Sequence, residues 1–216
     1  MQTFISPLGY DSTRVTRPVL RHGVESGDQI VMLRPTSEEE NDQNRAEEAV
    51  TDVKQMLSQV DPSVTVTVEP ITHDDFERGV RECLDVLEAG RGDVVVTFGG
   101  GPRELFLCFT LATLTATDRI STAYQFCDMT GSVRELTIPP LLTPVPEPAW
   151  ATLSLVADAD EATTIPAVTG LSDRSKSTVT RHVNQLADRG LVETWMEGKV
   201  KRVRLTLAGE LRLRAN

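Results

Sequence analysis

Residues 94–103, with the sequence Val-Val-Val-Thr-Phe-Gly-Gly-Gly-Pro-Arg, decide the fold of the N-terminal half of the chain. The continuous apolar and β-branched run 94–98 predicts a strand that is buried on both faces, as strands of parallel sheets are. The three glycines predict a tight loop, and the apolar segment after them predicts a helix to about Thr117 with Pro102 at its first position. A buried strand, a glycine-rich loop and a helix together predict one unit of a Rossmann-like α/β domain.

Strand and helix patterns alternate on both sides of this unit. Short apolar stretches predict five further strands, at 3–5, 29–33, 64–68, 122–126 and 134–138. Apolar residues at helical spacing predict helices over 13–22, about 46–60 and about 74–90, the second of them preceded by a capping box of Ser37 and Glu40. Because serial alternation with apolar strands is typical of a parallel sheet covered on both faces, we predict a mainly parallel, Rossmann-like α/β domain.

The chain changes character at a proline-rich segment. Residues 139–148 contain five prolines, which fit neither a helix nor a central strand and so predict a stiff linker. The formal net charge of the 216 residues is −10, but residues 1–148 hold 12 basic and 24 acidic side chains, whereas residues 149–216 hold 10 and 8. We therefore predict a Rossmann-like domain over 1–138, a linker over 139–148, and a second domain over 149–216 whose basic excess suits DNA.

Two loops of the first domain are candidates for ligand binding. In parallel sheets, ligands bind beyond the carboxyl ends of the strands, where loops 6–14 and 97–103 follow the first and fourth strands. Glycines let backbone N–H groups approach a ligand, and the positive dipole end of the next helix favours an anion such as phosphate. The candidate contacts are Ser12, Thr13, Arg14, Arg17, Thr97, Gly99, Gly100, Gly101 and Arg103. The alternative is that the glycines only form a tight turn and the arginines are solvated.

Other ligand classes are disfavoured. No GxGxxG fingerprint follows the first strand and no Gly-Lys-Ser/Thr sequence is present, so we expect neither a dinucleotide cofactor nor a Walker A loop. No histidine pair has metal-ligand spacing and no nucleophile–base arrangement is recognisable, so we expect no metal and no catalytic residue. Cys83, Cys108 and Cys127 are expected to be buried and reduced. The longest apolar-leaning run, 105–114, is about half a bilayer span, and a cytoplasmic protein is expected.

The second domain has the pattern of a small α+β winged helix-turn-helix. Apolar spacing predicts a helix near 150–156, a short helix over 165–171 closed by Gly170, and a third helix from Lys176 to about Arg189 that Ser175 caps. The third helix should bury a stripe formed by Val179, Val183, Leu186 and Ala187. A hairpin follows, with strands 192–196 and 200–207, and predicts a wing that is basic at its tip and along one edge.

The third helix and the wing are therefore predicted to bind DNA. Their Lys, Arg, Ser, Thr, Asn and Gln side chains are of the types that contact base edges and phosphates in a major groove. The candidate DNA contacts are Arg174, Ser175, Lys176, Ser177, Thr178, Thr180, Arg181, Asn184, Gln185, Lys199, Lys201 and Arg202. The alternative is a helical appendage or a protein-docking module.

The loop 97–103, together with the sequence Ser177–Val183 and the following Gly190-Leu191-Val192, resembles the CRISPR-associated CARF–winged-helix regulators of archaea. The resemblance implies a ligand-gated transcription regulator of CRISPR-linked genes in antiviral defence. It implies a homodimer whose two CARF domains bind cyclic oligoadenylate, most often the tetra-adenylate, across the twofold axis. It also extends the expected ligand contacts to Gly9, Tyr10 and Asp11.

Two other functions stay open at this point. One is a phosphodiesterase that cleaves the cyclic oligoadenylate ring and carries a DNA-binding appendage, and the other is a winged-helix regulator that senses another anionic metabolite. The source is also open: acidic excess with only four lysines among 22 basic residues is typical of a haloarchaeal, high-salt cytoplasm, but a GC-rich genome would also favour arginine.

Overall fold

The computed structural model describes residues 1–36, 40–159 and 161–215. The chain forms two compact units, Met1–Ile138 and Pro139–Asn216. No helix among the described residues is both long enough and apolar enough to cross a membrane.

The first unit is built on one six-stranded sheet. Its strands are β1 (Gln2–Pro7), β2 (Gln29–Pro35), β3 (Thr65–Ile71), β4 (Asp93–Phe98), β5 (Ile120–Phe126) and β6 (Val133–Leu136). Its helices are α1 (Thr13–His22), α2 (Glu40–Val60), α3 (Phe76–Ala89) and α4 (Arg103–Thr115). The strand order is β3-β2-β1-β4-β5-β6, and every neighbouring pair is parallel except β5 with β6. The predicted mainly parallel, Rossmann-like fold is confirmed.

Two apolar cores lie on opposite faces of this sheet. Val94 and Val96 of β4 point into the core shared with α3 and α4. Val95 points into the core shared with α1 and α2. Burial on both faces explains why residues 94–98 are apolar without the alternation of a half-exposed strand.

Several predicted details of the first unit are wrong. β6 ends at Leu136 and not at Ile138, and it runs antiparallel to β5 because the turn 127–132 that joins them is too short for a parallel crossover. Pro102 is not the first residue of α4 but its N-cap, because its ψ of 147° is extended, and the helix begins at Arg103 and ends at Thr115. The predicted capping box of Ser37 and Glu40 includes Ser37, which lies outside the described residues.

The cysteine prediction holds for two of the three residues. Cys83 and Cys108 are buried, and burial raises the pKa of the Cys83 thiol to about 12. Cys127 is only partly buried, contrary to the prediction, because it begins the turn after β5.

The second unit is a winged-helix domain. Its helices are α5 (Trp150–Ala157), α6 (Ile165–Leu171), α7 (Lys176–Asp188) and α8 (Leu207–Arg214), and its strands are β7 (Thr163–Thr164), β8 (Val192–Glu197) and β9 (Val200–Leu205). The strands form an antiparallel sheet in the order β7-β9-β8. The proline-rich segment 139–148 falls within this unit, where Val145 is buried in the core and Pro140 packs against Gly190.

The end of the second unit differs from its prediction. The second strand of the hairpin stops at Leu205 and does not reach Leu207, because the Thr206 hydroxyl accepts a hydrogen bond from the Gly209 N–H and so caps α8. Gly170 lies inside α6 and does not close it, contrary to the prediction. The buried stripe of α7 also differs from its prediction. That stripe includes His182, whereas Ala187 is only half-buried.

Candidate functional site

The loops after β1 and β4 meet at the point where the strand order of the sheet reverses. β1 lies between β2 and β4, so the chain leaves β1 toward one side and β4 toward the other. Such a switch point opens a crevice at the carboxyl ends of the strands. The loops touch there, since a methyl group on Gly9 would lie 3.3 Å from the backbone nitrogen of Gly101.

The glycine triplet has a packing role in this crevice. A side chain on Gly99 would overlap the carbonyl oxygen of Arg14, and one on Gly100 would lie 3.2 Å from the Arg14 Cδ. Gly101 has a φ of 93°, which favours glycine, and a methyl group on it would lie 2.8 Å from the Pro7 Cβ. Gly99 and Gly100 are buried, with Arg14 as part of their cover. The glycines therefore allow close approach of the two loops.

Arg14 connects three loops at the edge of the crevice. Its guanidinium lies 2.9 Å from a carboxylate oxygen of Asp128 and 3.4 Å from one of Asp11. It also donates to the carbonyl oxygen of Gly99 at 3.4 Å. Burial would raise the pKa of Asp11, but hydrogen bonds from Thr13 and the charge of Arg14 outweigh it and hold that pKa below its ordinary value. Asp11 therefore stays ionised beside Arg14.

The turn after β5 contributes a third wall that the sequence analysis missed. Arg17 donates to the carbonyl oxygen of Gly131 at 2.9 Å. The guanidinium carbons of Arg14 and Arg17 each lie 6.0 Å from the centre of the Phe126 ring, within the range of cation–π contacts. Because β5 is parallel to β4, the carboxyl ends of the two strands lie side by side, and the turn after β5 reaches the crevice. The order of the strands is set by the whole sheet, so no local sequence signal identified this turn.

The remaining predicted ligand contacts differ in access. Arg103 is exposed, and within the described part of the chain it makes no hydrogen bond or ion pair. Ser12 and Thr13 are half-buried at the start of α1, and Tyr10 is exposed with the Arg45 guanidinium 4.2 Å from its ring centre. Thr97 is fully buried below the loop, and its hydroxyl has no hydrogen-bond partner among the described residues. A ligand can reach Arg103 directly but not Thr97.

The candidate DNA-binding helix has the predicted cap and a polar outer face. The Ser175 hydroxyl accepts a hydrogen bond from the Thr178 N–H and begins α7. Arg174, Lys176, Ser177, Arg181 and Asn184 are exposed, whereas Thr178, Thr180 and Gln185 are half-buried. On the inner face, His182 is buried with its Nδ1 3.0 Å from the Thr152 hydroxyl, and burial, followed by the charges of Arg181 and Arg174, lowers its pKa.

The basic residues of the wing point in different directions. Lys201 donates to the amide oxygen of Asn184 at 2.9 Å and so connects the wing to α7. Arg202 and Arg204 lie on the other face of the hairpin, where they form ion pairs with Glu197 and Glu193. The predicted placement of these two arginines along one side of the wing is confirmed, and strand pairing places a glutamate beside each. Lys199 is exposed at the turn.

No group of three or more His, Cys, Asp or Glu side chains in the described ranges is placed to hold a metal ion.

Comparisons with known proteins identify the first unit. Residues 2–127 match the model of a family described as Csa3 CRISPR-associated Rossmann-like domain. A comparison with curated proteins gave no match.

Solved structures of transcriptional regulators are similar over about a third of the chain. One is a possible transcriptional regulator for arsenical resistance, with 26% identity over 32% of this chain and 71% of that chain and a TM-score of 0.28. A MarR/EmrR family regulator from Acinetobacter sp. ADP1 has 19% identity over 33% and 52%, with a TM-score of 0.29. A MarR family regulator from Silicibacter pomeroyi DSS-3 has 37% identity over 32% and 52%, with a TM-score of 0.26. The chain spans about half the length of the two MarR-type regulators.

Proposed function

The chain belongs to the family defined by the Csa3 CRISPR-associated Rossmann-like domain, and on that premise we propose that it is a ligand-gated transcription regulator of CRISPR-linked genes. The observation that carries the proposal is the presence of two different sites in one chain. The family domain has converging loops with arginines at a switch point, and the second unit is a winged-helix domain with an exposed basic helix. Such a regulator would act in the cytoplasm, where its DNA is.

The proposed ligand is cyclic oligoadenylate, with the tetra-adenylate as the first candidate. Its phosphates need cations and oriented N–H groups, and the crevice offers Arg103 at the first turn of the thirteen-residue helix α4, whose dipole favours an anion there. Arg14 and Arg17 supply two further guanidinium groups nearby. These cations are needed because the surrounding domain is strongly acidic.

The proposed assembly is a homodimer in which a second copy covers α4. Phe106, Leu107 and Leu111 of this helix are 37%, 58% and 41% exposed. Apolar side chains on one helix face favour association with a matching surface. Arg103 precedes Leu107 and Leu111 at spacings of four and eight residues, so it lies on the same face. Dimerisation through α4 would thus bring the Arg103 side chains of both copies near one ligand site.

The proposed DNA contacts are made by α7 and the tip of the wing. Ser177, Arg181 and Asn184 share the exposed face of the helix, and Lys201 holds Asn184 in place. A dimer of such domains would read two half-sites about one helical turn apart. Neutralising DNA phosphates with a few local cations is sufficient for binding, so the acidic total charge does not oppose it.

Titration calorimetry of the full chain with cyclic tetra-adenylate tests the ligand assignment. Arg103→Ala should weaken binding at least about tenfold, the cost of one good charge-assisted contact, and should leave DNA affinity without ligand unchanged. Arg91→Ala is the matched control, because Arg91 is also exposed but precedes β4, at the amino ends of the strands and away from the crevice. Equal affinity of the Arg103 and Arg91 variants would refute the assignment. A panel of other anionic nucleotides in the same assay would reveal a different effector.

A further inference from the structure

We propose that Asp128 is a built-in competitor for Arg14: a phosphate group of the ligand and the Asp128 carboxylate exchange at the same guanidinium, and Asp128 thereby sets the ligand affinity. The inference rests on the proposed function, because it takes the ligand to be an anion that binds between the β1 and β4 loops. Asp128 lies in a third loop, the turn 127–132 that follows β5.

Arg14 lies where three loops meet. It contacts Asp11 of its own loop, the carbonyl oxygen of Gly99 in the glycine loop, and Asp128 in the turn after β5. Its side chain also lies over Gly99 and Gly100, which are buried. An anion that enters between the β1 and β4 loops therefore meets a guanidinium that Asp128 already binds, and to bind in its place the anion must displace Asp128.

The ion pair between Arg14 and Asp128 is exchangeable. The Arg14 and Asp128 side chains are 35% and 63% exposed. Water screens an ion pair of this exposure, so the pair contributes little and a competing anion can replace it. A phosphate group offers more than one oxygen to the guanidinium in a planar, bidentate geometry, so it is a stronger partner than a single carboxylate oxygen.

The turn 127–132 keeps Asp128 within reach of Arg14. The Cys127 N–H donates to the Ser132 carbonyl oxygen at 2.8 Å, and the Gly131 N–H donates to the Cys127 carbonyl oxygen at 2.7 Å. Arg17 fastens the same turn to α1 through Gly131 at 2.9 Å. Because these bonds do not involve Asp128, they hold its backbone beside Arg14 whichever anion the guanidinium binds. The carboxylate is thus a local competitor at high effective concentration.

The variant Asp128→Asn tests the inference with cyclic tetra-adenylate in titration calorimetry. It keeps the shape of the side chain but removes its charge, and should bind the ring about two- to fivefold more tightly, as expected for loss of an exposed ion pair. Asp85→Asn is the control, because it removes the same charge from an exposed position on α3. The general reduction in negative charge is equal in both variants, so the difference between them measures the local competition.

A double-mutant cycle with Arg14→Gln then shows whether Asp128 acts through Arg14. In the Arg14→Gln background, Asp128→Asn should increase affinity no more than Asp85→Asn does. A gain that is as large without Arg14 as with it would overturn the inference, and so would equal affinities of the Asp128 and Asp85 variants. Either result leaves the proposed function intact if the wild type binds the ring.

Inorganic tripolyphosphate is the second probe and separates the two proposals. If the wild type does not bind cyclic tetra-adenylate, the proposed effector is wrong, but the competition is still measured by tripolyphosphate affinity in the wild type and the same variants. Tighter tripolyphosphate binding by Asp128→Asn than by Asp85→Asn would support the exchange at Arg14. No difference between them, or no binding of tripolyphosphate by any variant, would overturn it.

Discussion

Neighbouring cations of this protein have different partners, and their partners define what they can bind. Lys201 and Arg202 are adjacent in β9 but point to opposite faces of the wing, one toward Asn184 of α7 and the other toward Glu197. Arg181 is exposed on the outer face of α7. A basic residue at a suitable position in the sequence is therefore not sufficient to predict a DNA contact, because a nearby carboxylate can already form an ion pair with it.

Arg181→Ala should lower affinity for DNA about tenfold, whereas Arg202→Ala should lower it less than about threefold. The first variant removes a contact to a base or phosphate, and the second removes a cation that a glutamate already neutralises. Gel-shift titration with a duplex selected from random sequence by the wild-type protein measures both. Unchanged affinity of Arg181→Ala would refute the assignment of α7 as the recognition helix. A larger loss of affinity for Arg202→Ala than for Arg181→Ala would show that Arg202 contributes more to DNA binding.

His182 should make the stability of the second unit depend on pH. Its pKa in the unfolded chain is near the ordinary 6.5, and burial lowers the folded value. Unfolding therefore takes up a proton between the two values, so the free energy of unfolding is highest above about pH 6.5 and falls below it, by at most about 1.4 kcal/mol per pH unit. Denaturation of wild type and His182→Gln between pH 5 and 8 tests this, and parallel profiles of the two proteins would contradict it.

At the scale of single elements, the close approach of α8 to the start of the wing depends on one glycine. A side chain on Gly209 would overlap the carbonyl oxygen of Leu191, which is backbone and cannot turn away. Gly170 is also helical, but a methyl group there would meet nothing within 4 Å. The two glycines are thus a matched pair for measuring the cost of this contact.

Gly209→Ala should destabilise the second unit by about 1–3 kcal/mol, the usual cost of overpacking, whereas Gly170→Ala should be neutral or stabilise it by up to about 1 kcal/mol, because alanine favours helix. Tryptophan fluorescence during urea denaturation measures this unit, since Trp150 and Trp195, the two tryptophans of the chain, both lie in it. Similar midpoints for the two variants would show that the backbone adjusts to the added methyl group.

The elements that the sequence predicted well have a long apolar run, a clear helical spacing of apolar residues or a recognisable capping residue. Continuous apolar runs identified β2 and β4, and helical spacing together with Ser175 identified α7. α8 was missed because Leu205, Thr206 and Leu207 continue the alternation of β9, and only the capping role of Thr206 ends it. β7 has two residues, too few for any period to be visible.

The candidate site was predicted in part for a similar reason. Loops that follow strands along the chain are visible in the sequence, and the loops after β1 and β4 do meet. Which strands become neighbours depends on the sheet as a whole, so the contribution of Asp128 and Gly131 after β5 was not foreseen. The burial of Thr97 is likewise a property of the packed sheet and not of its own loop.

At the scale of the whole molecule, Leu107→Glu should convert the proposed dimer to a monomer. A carboxylate in the centre of an apolar interface would lose its hydration, so the dissociation constant should rise at least tenfold, as at a typical interface hot spot. Met56→Glu is the control, because Met56 is 38% exposed on α2, on the opposite face of the sheet from α4. Light scattering measures the masses, and a dimeric Leu107→Glu would show that association uses another surface.

The two edges of the six-stranded sheet limit how copies of this chain can join. An unprotected edge strand offers free N–H and C=O groups and invites another strand, which leads to uncontrolled polymerisation. Here one edge is β3, which contains Pro70 and so lacks one N–H, and the other is β6, which has only four residues. Neither edge is suited to extending the sheet into a second molecule. If the proposed dimer forms, it must therefore join its copies through side chains and not through an added strand.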